Sequence, residues 1–159
     1  MKIRSSALGF TLMELILVIV LLSILSLFAV SRFIGSGNFS AYALQERVIS
    51  VIRQVQVNRM QSNVASPDNN FRLQVSSSCV GSVAACELTG SAQDARSDVV
   101  IDKSAKFSVI SGAANTINFN LLGNPVSGAV NILIEDKHGR SRCQVEINSQ
   151  GYVSKGACS

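Results

Sequence analysis

One histidine occurs in the 159 residues, His138, and it stands in the turn-like stretch D-K-H-G at 136–139. A catalytic base there would need a nucleophile and an orienting group beside it in a site that excludes water, and a hairpin tip offers neither. The four cysteines contain no C-x-x-C or C-x-x-H pair, which argues against a zinc centre. Glycine-rich phosphate loops are missing as well. Adjacent carboxylates occur only as Glu135 and Asp136 at a turn edge, a place for solvated rather than catalytic acids. Net charge is small, +4 over the whole chain. Without Lys2 and Arg4 it falls to +2, so no general affinity for nucleic acid follows. No internal repeat is evident. These absences lead to an expectation of no catalytic residue, no metal and no cofactor, in a chain that is not an enzyme.

What is present begins at the N-terminus. After Gly9 come 21 residues whose only formal charge is Glu14, preceded by Lys2 and Arg4. At ~1.5 Å per residue a helix of this length crosses a bilayer core of roughly 30 Å. An ionised carboxylate in hydrocarbon costs on the order of 2.5–3.5 kcal/mol, so Glu14 needs an offset. Hydration at headgroup depth is one. Another follows if the chain is cut after Gly9: the new α-amino group on Phe10 of a neighbouring copy could neutralise Glu14. A rival reading takes Ala29-Val30-Ser31 as an ordinary signal-peptidase site. Against it stand an apolar run longer than such signals use and an acid that a disposable signal does not need.

Residues Gly9-Phe10-Thr11-Leu12-Met13-Glu14, after a short basic leader and before a long apolar run, resemble the type III leader of type IV prepilins and pseudopilins. The resemblance implies that a prepilin peptidase cleaves between Gly9 and Phe10 and N-methylates Phe10. It also implies that Glu14 pairs with the terminal amine of an adjacent subunit during assembly. That family often has a proline near the end of the run, ahead of a basic residue; here Ser31 precedes Arg32, so a kink tied to that proline is not carried over.

With the basic leader inside, the positive-inside rule puts the remainder across the membrane, where disulfides persist. Cys79, Cys86, Cys143 and Cys158 permit three connectivities. Their spacing favours two local bridges, Cys79 with Cys86 and Cys143 with Cys158, over the crossed ones. Gly35 and Gly37 loosen the chain after the apolar run. Over 41–63, Leu44, Val48, Val51, Ile52 and Val55 recur every three or four residues, which predicts an amphipathic helix. Pro67 ends it.

The alternation of Phe71, Leu73 and Val75 predicts a strand. Residues 76–98, rich in Ser, Ala and Gly, read as a long disulfide-pinned surface loop with a short strand near Glu87 and Leu88. Further strands are expected at 99–101, 106–110, 116–122, 130–134, 141–147 and 152–153. The last long pair flanks a hairpin loop at 135–140. The fold class is therefore α+β: a long N-terminal helix, membrane half plus amphipathic half, packed on an antiparallel sheet. The chain divides into a leader (1–9), a transmembrane or filament-core helix (10–30), a linker and amphipathic helix (31–63) and a β-rich periplasmic domain (64–159).

The tail, I-N-F-N-L-L-G-N-P at 117–125, V-N-I-L-I-E-D at 130–136 and I-N-S-Q-G-Y-V at 147–153, is similar to that of minor pilins and pseudopilins of the general-secretion H / fimbrial T type. The resemblance implies a type IV pilin-like fold and a low-copy subunit that primes or caps a filament. Its partners would be other major and minor pilin subunits, the prepilin peptidase, the inner-membrane assembly platform and membrane lipid. It would sit in the inner membrane before assembly and in a surface pilus afterwards. Two other roles share this chemistry, a pseudopilin of type II secretion and a DNA-binding minor pilin of a competence pilus. For the latter, Lys137, Arg140 and Arg142 are the candidate contacts, but Glu135, Asp136 and Glu146 dilute them, and phosphate binding needs net local positive charge.

Overall fold

The computed structural model describes residues 11–34, 40–112, 114–137 and 141–159, with side chains throughout except at 26–34 and 40. Gly9, Phe10, His138, Arg140 and the Gly35/Gly37 joint lie outside the described residues. The chain divides into two compact units, Met1–Ser36 and Gly37–Ser159.

In the first unit, α1 runs over Leu12–Ile34. It starts there because the Thr11 hydroxyl accepts a hydrogen bond from the Glu14 amide at 3.2 Å, meeting one of the helix's unpaired N-terminal donors. T-L-M-E is the capping-box spacing, and Glu14 in the first turn faces the positive end of the helix dipole. Within the apolar run, the Ser23 hydroxyl donates to the Ile19 carbonyl at 2.7 Å and so needs no outside partner. Among the described residues no helix is long and apolar enough to cross a membrane. The part of α1 whose side chains are described, 12–25, covers ~21 Å of the ~30 Å required.

In the second unit, α2 covers Ser40–Gln61. It stops where Asn63 takes a left-handed conformation, φ 48°, ahead of Pro67. Eight strands follow in two antiparallel sheets. The first contains β1 (Arg72–Val75), β2 (Cys79–Ser82), β3 (Val99–Ile101) and β5 (Thr116–Asn118), in the order β3-β2-β1-β5. The second contains β4 (Ala105–Ser111), β6 (Val130–Asp136), β7 (Arg142–Ile147) and β8 (Val153–Cys158), in the order β4-β6-β7-β8. Two short helices, α3 (Val83–Glu87) and α4 (Ser91–Asp94), join β2 to β3.

The period-2 pattern turns one face of β6 and of β7 inward. On β6 these are Val130, Ile132 and Ile134, on β7 Cys143, Val145 and Ile147, with Ile132 opposite Val145. The stripe of α2 meets both sheets: Leu44, Val48, Ile52 and Val55 are buried with Leu73, Val80 and Val100 of the first sheet and Phe107 and Val145 of the second. The core thus forms within residues 41–158, with both sheets and α2 inside the second unit.

Four expectations need correction. Residues 76–98 are not a surface loop: β2 lies within them and is buried along its whole length. The small residues that suggested a loop are what allow it, since a Cβ on Gly81 would stand 2.5 Å from the Asp98 carbonyl oxygen of the neighbouring strand connection. Glu87 and Leu88 form the end of α3, not a strand, because the Ser82 hydroxyl caps that helix through the Ala85 amide at 3.1 Å. The strand expected over 116–122 ends at Asn118; the Asn120 side chain accepts from the Leu122 and Asn124 amides at 2.9 and 3.0 Å and bends the chain. At the other end β8 continues to Cys158, well past the apolar pair that announced it, because its backbone pairs with β7.

Replacing Ile52 by Ala, at 0% exposure between the two sheets, is expected to cost about 2–5 kcal/mol. Urea denaturation of the 37–159 unit, with unchanged m-value, measures it.

Candidate functional site

Two places in the molecule depart from an ordinary packed core. The first is the N-terminal turn of α1. Leu12, Met13, Leu15 and Leu17 around Glu14 are all exposed, Leu12 at 76%. A lone acid is thus carried among exposed apolar side chains in the first turns of a helix that begins three residues after Gly9. The cap at Thr11 is made to the backbone amide of residue 14, so helix initiation does not need the carboxylate itself.

The second is the polar side of α2. Four long side chains reach from it to backbone carbonyls of the strands and connecting loops around it. Gln45 donates through one nitrogen to Gln144 O at 2.6 Å and Gly156 O at 3.2 Å, where the β7–β8 register shifts. Arg53 Nη2 donates to Val153 O at 2.8 Å. Gln56 Nε2 bridges Gly123 O (2.9 Å) and Gly151 O (2.8 Å), holding together the turn at 120–124 and the turn at 148–151. Arg59, only 4% exposed, donates to Phe119 O at 3.1 Å and Val64 O at 2.8 Å. The apolar stripe alone predicted this helix, and the sequence assigned no role to these four residues. Their signal was the recurrence of long polar residues beside the apolar stripe, which is legible only when loop carbonyls are known to lie within reach.

The cysteines form Cys79–Cys86 and Cys143–Cys158. The first ties β2 to α3, and the second joins facing positions on β7 and β8. Between β2 and β3 a bidentate pair joins half-buried Arg96 to buried Asp98 at 2.7 and 2.8 Å, and Arg96 also donates to the Ser82 hydroxyl at 3.2 Å. Burial pushes the Asp98 carboxyl up, but hydrogen bonds from Arg96 and Ser82 outweigh it and hold it below its ordinary 3.8. Asp102 is held low in the same way: burial is outweighed by the Ser104 hydroxyl, the Ser104 and Ala105 amides and the positive charge of Arg47.

The basic candidates do not converge. Arg142 pairs with Glu135 at 3.2 Å. Lys137 donates to Lys103 O at 2.9 Å, and Arg140 lies outside the described residues. Lys155 is paired with Glu46. Among the described residues no three His, Cys, Asp or Glu side chains group to hold a metal ion.

The class defined so far is an α+β protein with an apolar, acid-bearing N-terminal helix and one amphipathic helix against two antiparallel sheets. No protein-family model matches the chain, and no curated protein is similar to it. Two solved structures are similar, both crystal structures of the type IV minor pilin FimU of Pseudomonas aeruginosa strain PAO1. In space group P21 the TM-score is 0.49 at 10% identity, covering 74% of this chain and 89% of that one. In P65 it is 0.47 at 10%, covering 73% and 92%.

Two outcomes test this description. Arg59→Met is expected to leave the Val64 and Phe119 carbonyls without donors and to lower stability by about 1–3 kcal/mol, read by urea denaturation. For Asp98, whose folded pKa is lowered, the stabilisation is present above the unfolded pKa near 3.8 and is lost as pH falls through the folded value. The stability gap between the native protein and Asp98→Asn is therefore expected to be constant from neutral pH to about 5 and to close below about 4. A gap that persists at low pH would refute the assignment.

Proposed function

We propose that the chain is a type IV prepilin-like minor subunit that primes or caps a pilus used in adhesion. What supports the reading is the run G-F-T-L-M-E at 9–14 followed by an apolar helix in which Glu14 occupies the first turn. That placement is the single observation on which the proposal depends. Cleavage after Gly9 frees the Phe10 amine, which becomes methylated. Glu14 then pairs with that amine on the adjacent subunit as α1 enters the filament core. Two opposite charges meeting in low dielectric discriminate strongly between registers, since a slipped subunit leaves an uncompensated carboxylate among apolar side chains.

Before assembly the protein is a single-pass inner-membrane protein with its second unit in the periplasm, in contact with the prepilin peptidase, the assembly platform and lipid. Afterwards it is part of a surface pilus beside major and minor pilins. Its role is structural, not catalytic. Within the general-secretion H / fimbrial T group we take the chain to resemble the minor prepilin of mannose-sensitive haemagglutinin pili, and on that resemblance we place it in an adhesive pilus rather than a secretion machine.

Mass spectrometry of the mature protein is expected to find methylated Phe10 at the N-terminus, and Gly9→Val to leave the leader attached. Glu14→Ala is expected to be cleaved normally, with α1 still capped by Thr11, yet to reduce surface pili. Normal piliation in that variant, or a native N-terminus at Met1 or Arg32, refutes the proposal.

A further inference from the structure

At the C-terminal end of α2 the two turns that Gln56 holds together form the floor of an open cup of about 230 Å³. Its walls are Val57, Met60 and Leu122, exposed at 47%, 49% and 75%, and Arg53 stands at its rim. Tyr152 (64%) and Val126 (71%) add to the exposed apolar surface of the adjoining turns. In a soluble domain such a cluster, bordered by polar residues, marks a contact surface.

The floor is rigid for a backbone reason. Gly123 and Gly151 both take positive φ, 81° each, and a Cβ on Gly151 would stand 2.4 Å from the Gly123 carbonyl oxygen. The two turns therefore pack backbone on backbone, and the cup exists before anything enters it. A preformed pocket of this size holds one side chain, the way an interface anchor is held.

Charge decides what accompanies that side chain. Arg53 spends one nitrogen on Val153 O. It makes no ion pair with a described residue, and no acidic residue lines the cup. Two copies meeting face to face through this surface would bring Arg53 near Arg53, so the cup is ill suited to pairing with itself. We infer that it is a docking site for another protein, which inserts one aliphatic side chain between Met60 and Leu122 and presents a carboxylate from the next residue to Arg53. The site is argued from the second unit alone and is independent of the filament reading; leader cleavage and piliation test that reading and leave this one untouched.

The test uses the ¹⁵N-labelled 37–159 unit, which holds the core and both disulfides. The probes are N-acetyl-Leu-Glu-amide and N-acetyl-Leu-Gln-amide. The expected result is saturable shifts of the Gly123 and Gly151 amides and the Gln56 side-chain amide. The glutamate probe should bind about two- to fivefold more tightly than the glutamine probe, as an exposed ion pair allows. Arg53→Gln is expected to erase that preference while keeping the binding, and Leu122→Ser, at a position that supports no core, to weaken both probes. Absence of shifts, or shifts centred elsewhere, overturns the site. Equal binding of the two probes overturns the acidic partner. Concentration-dependent shifts of the same amides without any probe would make the occupant a second copy and overturn the inference as stated.

Discussion

Everything in the second unit depends on desolvating one helical stripe between two sheets. Neither four-stranded sheet is large enough to close a core alone: the first has strands of three and four residues, and the second leaves the apolar faces of β6 and β7 uncovered unless something lies on them. Ile52, Val48 and Val55 touch both problems at once. Each such side chain is worth about 1.5–3 kcal/mol when fully buried, and their placement on one helix links the two sheets into a single cooperative structure.

Burying a helix against the sheet faces brings strand and loop carbonyls beside it out of water, and these must find donors. The structure answers with side chains long enough to cross the gap. Gln45, Arg53, Gln56 and Arg59 bond backbone oxygens and no carboxylates among the described residues, so they act as backbone organisers. The consequence extends to recognition: the same glutamine that satisfies Gly123 and Gly151 shapes the surface cup above them. A packing requirement inside thus prepares a contact surface outside.

The same economy appears at the other helix. Thr11 caps α1 through the Glu14 backbone amide, and among the described residues the Glu14 carboxylate makes no ion pair. A charged group placed on an apolar surface without a counter-ion among those residues is available for an interaction between chains. That physical availability is what the proposed assembly mechanism draws on.

Local rules alone were enough for the elements whose pattern and environment agree. The three-and-four spacing from Leu44 to Val55 announced α2, the alternation from Val130 to Ile147 announced the β6–β7 hairpin, and short loops pointed to the two disulfides. Those features are encoded within one or two turns of chain. Other features could be settled only by residues far apart in sequence. β2 is buried because Gly81 lets a distant strand approach, although its small residues look like a loop. Gln56 is structural because two turns, 67 and 95 residues away, place their oxygens beside it. A side chain's partner across such distances is a property of the packed chain, since composition specifies what a residue can bond and only folding brings the atom it bonds within 3 Å.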